Sequence, residues 1–235
     1  MKITKRNSLY QLGFMPDFFP VNCYLVEEED SLTLIDAALP YSANSILEAA
    51  GKIGKPIKRI LLTHMHNDHI GALSKIKSSD PAIELWVPKR EERIMKGDRS
   101  LEPGESQKPI KGGLPKNMNL KADALIKEGD RIGSLIAIET PGHTPGSMSY
   151  LDTRDQSLIT GDAFQTRGRT VVSGQLVLSF PFPAMAAWCK ETALISAEKI
   201  KSRNPSLLAA GHGKMLENPA KEIQKAIMSA RKKLR

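Results

Sequence analysis

Three of the five histidines in this 235-residue chain lie within six residues, directly after the apolar, strand-like stretch IKRILLT. Alternate side chains of an extended backbone point the same way, so His64 and His66 would face one side and could bind one ion. Asp68 and His69 follow at once, and a turn after the strand would direct them to a second point nearby. Zinc accepts imidazole and carboxylate ligands, so this stretch predicts a metal site where a strand ends.

Three further ligand-type residues each follow an apolar stretch and a glycine. His143 stands in TPGHTPG, Asp162 in LITGDAF and His212 in AAGHG. Strand ends in open α/β sheets meet at one edge, which is where such folds place their sites. A single histidine after a strand is often an ordinary surface residue, but every histidine of this chain falls in such a context. We therefore predict that one metal site gathers seven side chains: His64, His66, Asp68, His69, His143, Asp162 and His212.

Strand-like and helix-like segments alternate along the chain in two successive blocks. Residues 41–54, 184–201 and 218–234 repeat apolar side chains on one face, which predicts helices. Shorter runs with strand composition precede them, and the second block begins with ALIKEG at residues 124–129. This order favours two similar α/β halves pressed sheet against sheet.

Residues 97–120 interrupt the alternation with three prolines, four glycines and few bulky apolar side chains. A structureless connection of this length inside a compact domain is typical of a lid or a surface excursion. Ligand-type residues lie on both sides of it, so we expect residues 1–235 to form a single domain that contains the excursion.

Charge and cysteine content limit the class of binding partner and the cellular compartment that we expect. The net charge is +8, but lysine and arginine are spread out, and the densest cluster, ARKKLR, would complement a helix dipole. This pattern argues against a nucleic-acid partner and leaves a small-molecule substrate as the expectation. The two cysteines lie far apart, and no apolar run has signal-peptide or transmembrane length, so we expect a cytoplasmic protein without a membrane partner. Monomer and homodimer both stay open.

The order and spacing of the seven residues resemble the metallo-β-lactamase-fold hydrolases over essentially the whole chain. The family pattern HxHxDH matches residues 64–69, and its later histidine, bridging aspartate and final histidine match His143, Asp162 and His212. The resemblance implies an α/β fold that is a four-layer αβ/βα sandwich: two mixed β-sheets packed face to face, with helices outside.

The resemblance also implies two divalent cations, zinc by default, with iron or manganese as other candidates. Each cation would have three ligands of its own and share one carboxylate: His64, His66 and His143 for the first, Asp68, His69 and His212 for the second, and Asp162 between them. Two such cations would acidify a shared water, and the hydroxide that this implies would attack a carbonyl or phosphorus centre. Asp68 could also orient the hydroxide or carry its proton. Thr63, Thr144 and Thr160 could support the histidine rings, or only complete strands and turns.

The substrate class depends on the bridging residue. The familiar zinc β-lactamases have cysteine or serine where this chain has Asp162, so the chain is more similar to the glyoxalase II thioesterases and the acyl-homoserine-lactone lactonases. Those lactonases carry a tyrosine three residues further on, where this chain has Gln165. We expect a binuclear hydrolase of a carboxylic ester, lactone or thioester. A phosphodiesterase, a single-iron enzyme that oxidises persulfides, and a non-catalytic binding module remain alternatives.

Two short segments collect much of the chain's sparse aromatic content. They contain Met15, Phe18 and Phe19, and then Phe180, Phe182, Met185 and Trp188. These side chains could line an apolar acyl pocket or pack as ordinary core. Arg167 and Arg169 could bind a carboxylate or phosphate of the substrate, or lie in an exposed loop.

Overall fold

A computed structural model describes residues 1–234 and contains two large mixed β-sheets and one small hairpin. The first sheet has seven strands in chain order: β1 Lys2–Arg6, β2 Leu9–Phe14, β3 Val21–Glu27, β4 Leu32–Ile35, β5 Ile57–Leu61, β6 Glu84–Pro88 and β7 Ala124–Ile126. Strands β1 to β4 pair antiparallel, and β4 to β7 pair in parallel.

The second sheet has six strands in the order β15-β14-β11-β10-β9-β8. Their bounds are β8 Arg131–Ile132, β9 Leu135–Glu139, β10 Met148–Asp152, β11 Ser157–Gly161, β14 Leu207–Ala210 and β15 Leu216–Glu217. Because β10 is antiparallel to both β9 and β11, and β14 is parallel to β11, the strands β9, β11 and β14 run in one direction. The hairpin consists of β12 Phe164–Gln165 and β13 Val171–Val172.

Helices cover the outer faces of the two sheets. Their bounds are α1 Ala43–Ile53, α2 Asn67–Ile70, α3 Leu73–Ser79, α4 Lys89–Met95, α5 Phe182–Ala186, α6 Lys190–Ser202 and α7 Ala220–Leu234. Within residues 1–234, none of these helices has the length and apolar character needed to cross a membrane.

Strand alternation divides the apolar core into three clusters and so produces four layers. In β3, Cys23 and Leu25 face the helices outside the first sheet, whereas Tyr24 and Val26 face the space between the sheets. In β14, Leu208 packs on the outer helices of the second sheet. The predicted four-layer αβ/βα sandwich is thus confirmed.

The prediction that residues 124–129 begin the second block of strands is wrong. The segment forms β7, which pairs in parallel with β6 and therefore closes the edge of the first sheet instead of opening the second block. Its apolar composition predicts a strand but contains no information about the partner strand. The chain reaches this edge through residues 97–120, which contain no helix or strand.

The predicted helix at residues 184–201 is two helices, α5 and α6. The backbone between them is extended at Ala187 and Cys189. There the N–H groups of Trp188 and Cys189 donate to the carbonyl oxygens of His143 and Gly142, both at 2.9 Å. The break in the helix therefore holds the loop that carries one of the predicted metal ligands.

Candidate metal centre

All seven predicted ligands lie beyond or at the carboxyl ends of β5, β9, β11 and β14, and these ends meet at one edge of the sandwich. His64, His66 and His143 form the first group, and all three rings are buried. The Nδ1 atom of His66 lies 3.1 Å from Nε2 of His64 and 2.9 Å from Nε2 of His143. Three ring nitrogens thus converge on one point.

The second group contains Asp68, His69 and His212, whose ligand atoms all lie within 4.8 Å of one another. The Nε2 atom of His212 is 3.5 Å from Oδ2 of Asp68. The two histidines are buried, whereas the Asp68 side chain retains 27% exposure and faces the cleft above the site. Asp68 is therefore the member of this group that a substrate can reach.

Asp162 lies between the two groups. Its Oδ2 atom is 3.2 Å from Nε2 of His143 and 3.1 Å from Nε2 of His212, and its Oδ1 atom is 3.4 Å from Nε2 of His69. One carboxylate therefore reaches ring nitrogens from both groups. Gly211, directly after β14, leaves room for this contact, because a Cβ at that position would collide with Asp162 and with the His69 ring.

Hydrogen bonds on the far side of each ring fix which nitrogen carries the proton. Nε2 of His66 donates to the Lys111 carbonyl at 2.8 Å, and Nδ1 of His212 donates to the Pro20 carbonyl at 2.6 Å. A carbonyl oxygen can only accept, so in the neutral form of each ring the proton lies on this nitrogen and the other nitrogen offers its lone pair to the site.

Asp36 fixes two more rings and was not predicted from the sequence. Its carboxylate accepts from Thr63 N, Thr63 Oγ1 and Nδ1 of His69, each at 2.7 Å. Because Thr63 Oγ1 has given its proton to Asp36, it accepts at 3.0 Å from Nδ1 of His64. Asp36 directly follows the apolar strand β4, without the glycine that stands between strand and aspartate at Asp162.

These contacts leave lone pairs converging without hydrogens between them, and the arrangement fits a divalent cation. Among residues 1–234, the buried atoms Nε2 of His69 and Oδ1 of Asp162 have no hydrogen-bond partner. Buried polar atoms in this state cost free energy unless another group binds them. The donor set of imidazole nitrogens and carboxylate oxygens is the one that zinc and similar divalent cations prefer.

The protonation states of the first ligand group and of Asp162 suit metal binding, which requires neutral imidazole and ionised carboxylate. Burial lowers the pKa of His64 and brings the pKa of His143 to about 3, so both rings are neutral at pH 7. Burial alone would raise the pKa of Asp162, but the nearby His212 and His69 hold that pKa well below its usual range. Burial alone would lower the pKa of His69 and His212, but the Asp162 carboxylate raises both, so a cation in the second group would replace a ring proton.

Of the three threonines considered as supports for the rings, only Thr63 lies against a predicted ligand. Thr144 Oγ1 is 2.7 Å from Ser147 Oγ, and Thr160 Oγ1 lies near the carbonyl oxygens of Gly161 and Ala209. Their role is to complete a turn and a strand. The Nδ1 atom of His143 instead meets the hydroxyl of Ser173 at 2.9 Å, a contact with no signal in the sequence.

An apolar-walled cleft of about 290 Å³ opens above the site. Phe19, Phe182 and Met185 line it, as predicted for an apolar pocket. Phe180 and Trp188 are buried beside it, and the Phe180 ring lies 5.2 Å from the His212 ring. Met15 and Phe18 are exposed and do not belong to the cleft lining.

The two arginines after Asp162 bind backbone. Arg167 donates to the carbonyl oxygens of Pro16 and Asp17, and Arg169 donates to the carbonyl oxygen of Leu176. Neither lines the cleft above the predicted ligands. These contacts fasten the turn that carries both arginines to two other loops.

Glu91, which was not predicted from the sequence, joins the two loops of the first ligand group. This fully buried residue of α4 accepts from Met65 N at 2.8 Å and from Gly146 N at 2.9 Å. Met65 stands between two predicted ligands, and Gly146 lies in the loop after His143. Burial raises the pKa of Glu91 to about 7.

We expect this pKa to make the stability of the fold pH-dependent. Because the folded-state pKa lies above the usual 4.5, the native state binds the proton more tightly than the unfolded state. The stabilising contribution is complete below pH 4.5 and is lost as the pH rises through 7, by at most about 3 kcal/mol. The measurement is urea unfolding with a chelator present, comparing wild type with Glu91→Gln between pH 5 and pH 8. The difference in unfolding free energy, wild type minus variant, should fall with pH, and a pH-independent difference contradicts this role.

The fold and the site define a metal-binding α/β sandwich protein. A family model for the metallo-beta-lactamase superfamily matches residues 16–212. The chain therefore belongs to the metallo-beta-lactamase superfamily, as the sequence motifs predicted.

Similar proteins place it among metallo-hydrolases. The chain is 51% identical over 232 residues to the uncharacterized protein YobT of Bacillus subtilis (strain 168), covering 99% of this chain and 100% of YobT. It is 31% identical to the probable metallo-hydrolase YflN of the same strain, covering 82% of this chain and 80% of YflN. It is 29% identical to the hydroxyacylglutathione hydrolase of Bartonella henselae, but there it spans only 48% of the relative's length.

Solved structures agree on the fold. The DIM-1 metallo-beta-lactamase superposes with a TM-score of 0.72 at 14% identity, covering 99% of this chain and 97% of that one. The protein TTHA1623 in a di-iron-bound form superposes with a TM-score of 0.65 at 23% identity, covering 90% and 96%.

Proposed function

We propose that this protein is a binuclear metal-dependent hydrolase of a small-molecule carboxylic ester, lactone or thioester. One observation carries the proposal: Asp162 reaches ring nitrogens of both ligand groups, at 3.1 to 3.4 Å. Each cation would have three ligands of its own and share Asp162, with His64, His66 and His143 for one and Asp68, His69 and His212 for the other.

Two divalent cations at these positions would supply an acidified water as nucleophile and a Lewis acid for the carbonyl oxygen. The chain's own residues orient the ligand rings and transfer the proton. Asp36 and the carbonyl oxygens of Lys111 and Pro20 hold the rings with their free lone pairs inward. Asp68, the partly exposed carboxylate at the cleft, would take the proton of the water and deliver it to the leaving group.

The cleft favours a carbonyl over a phosphodiester. The residues that line it include no lysine or arginine. A phosphodiester carries a full negative charge that commonly recruits such cations, whereas an ester or thioester is neutral. The name of the relative hydroxyacylglutathione hydrolase, a thioesterase by that description, supports the same class.

We place the enzyme in the cytoplasm. Cys23 and Cys189 are both buried and free, which suits a reducing compartment. Fractionation of the source cells tests this directly, and recovery of the protein outside the cytoplasmic fraction would contradict it.

Elemental analysis together with a matched panel of esters, lactones, thioesters and phosphodiesters tests the proposed function. We expect about two metal ions per chain, zinc first among candidates, and turnover of at least one carbonyl class. His66→Ala should lower kcat/KM by more than the roughly 100-fold typical of losing an outer-shell partner, together with bound metal. Met228→Ala, on the exposed face of α7, serves as the control.

The two non-hydrolytic alternatives have distinct outcomes in the same experiment. One iron per chain with oxygen uptake would replace the hydrolase by an oxidising enzyme. Bound metal without turnover across the whole panel would favour a binding module. Full turnover by His66→Ala would remove the metal mechanism altogether.

A further inference from the structure

Exposed apolar side chains concentrate beside the metal cleft. Among residues 1–234, twelve large apolar side chains are exposed, and six of them fall in two short segments, 15–19 and 176–186. The six are Met15, Phe18, Leu176, Leu178, Phe182 and Met185. Phe18 and Leu178 are 87% and 88% exposed. A concentration of this kind on a folded surface usually marks a binding site. These six residues are called the apolar rim below.

The apolar rim is continuous with the cleft. Phe182 and Met185 belong both to the rim and to the cleft lining, and the Phe182 ring packs against the Phe19 ring of the same lining, with 5.0 Å between the ring centroids. The turn that carries Arg167 and Arg169 holds both rim segments through their backbone carbonyls. The two segments are therefore held to one turn, and Phe182 and Met185 join the second of them to the cleft above the predicted ligands.

The charges of the cleft argue against the alternative that the rim binds the anionic tail of a charged substrate. The only carboxylates in the lining are Asp68 and Asp162, which the proposed function assigns to the cations, and the lining has no lysine or arginine. An anionic tail would lose hydration there without gaining a partner. An apolar tail would gain from burial, by roughly fourfold in affinity for each fully buried methylene.

We propose that the substrates of this site carry an uncharged, apolar acyl chain, bound along the apolar rim while the carbonyl group lies at the predicted ligands. This inference rests on the proposed hydrolase function and specifies its substrate class. The cleft volume of about 290 Å³ is at the lower end for small-molecule sites. The gain from chain length should therefore level off once the chain fills the cleft.

A homologous series tests the inference: 4-nitrophenyl acetate, butyrate, hexanoate and octanoate, or the matching thioesters, all below their micelle concentrations. We expect kcat/KM to rise about two- to fourfold per methylene before it levels off. Met185→Ser should lower the octanoate-to-acetate ratio of kcat/KM by about tenfold, which corresponds to one or two lost methylene contacts. Met228→Ser is the matched control, because Met228 is the same residue type at similar exposure, 60% against 68%, but lies on α7. It should leave the ratio unchanged.

A second variant, Phe18→Ser, keeps the test independent of folding, since a side chain that is 87% exposed contributes little to the core. It should lower the same ratio. Equal kcat/KM for acetate and octanoate, unaltered in Met185→Ser, overturns the inference and leaves the hydrolase standing. No turnover of any acyl substrate overturns the hydrolase itself.

Two other occupants of the rim are also outcomes of the experiment, and each overturns the inference. Activity that appears only above the micelle concentration or on lipid vesicles assigns the rim to a lipid surface. A dimer that Phe18→Ser converts to monomer, with an unchanged octanoate-to-acetate ratio, assigns it to contact between two copies of the chain.

Discussion

Asp162→Asn is expected to lower hydrolysis by at least about a thousandfold, roughly 4 kcal/mol of transition-state stabilisation. Bound metal should fall from about two ions per chain to at most one, because a single carboxylate reaches His69, His143 and His212. Asparagine offers one weak oxygen ligand and an NH2 group. That NH2 would donate to a ring nitrogen that otherwise has a free lone pair, so the variant satisfies the buried ring without a cation. Elemental analysis and kcat/KM on the best substrate measure both effects.

The matched control for this variant is Asp152→Asn. Asp152 is an equally buried carboxylate, but it ends β10, which runs opposite to β9 and β11, and it binds Arg154 and Ser8. Its replacement should destabilise the fold by about 1–3 kcal/mol while the metal content stays the same. If Asp162→Asn keeps two ions and most of its activity, the carboxylate does not link the two groups and the binuclear site is wrong.

The seven candidate ligands could be predicted because each has a local signal. An apolar strand followed by glycine or threonine and then a ligand-type side chain is readable in a few residues, and strand ends meet by the geometry of sheets. Asp36 carries only part of this signal in LTLIDAAL, because it follows the apolar strand without an intervening glycine or threonine. The layered fold was predictable for a similar reason, since apolar periodicity reports on burial.

The supporting contacts were not predictable because they depend on backbone atoms or on distant segments. The carbonyl oxygens of Lys111 and Pro20 accept from ligand rings, and a carbonyl group leaves no trace in the residue type. The break between α5 and α6 follows from two N–H groups that donate to the His143 loop. These long-range hydrogen bonds replace the helical ones that the local sequence pattern predicts. Glu91 looks like an ordinary surface residue of KREERIM, yet it is fully buried.

Gly112→Ala is expected to remove one metal ion and to lower activity by at least about 100-fold, as for loss of a ligand-orienting contact. Gly112 adopts a φ of +90°, and a Cβ there would lie within 2.9 Å of the His66 ring carbons. The neighbouring Lys111 carbonyl accepts from the same ring, and the Gly113 carbonyl accepts from Asn67 N. The added methyl group must therefore displace either His66 or the 97–120 segment that holds it. Metal content and kcat/KM report the loss.

Gly104→Ala isolates this contact from backbone strain. Gly104 lies in the same 97–120 segment with a φ of +88°, but a Cβ there meets no atom within 4 Å. Both substitutions carry the cost of a left-handed alanine, about 1–2 kcal/mol, so only Gly112→Ala adds the collision with His66. Unaltered metal content and activity in Gly104→Ala, beside their loss in Gly112→Ala, would make the segment a fixed part of the metal centre. Retained metal content and activity in both variants would instead mean that the segment moves freely over the cleft as a lid, because a mobile cover gives way to a methyl group at either position.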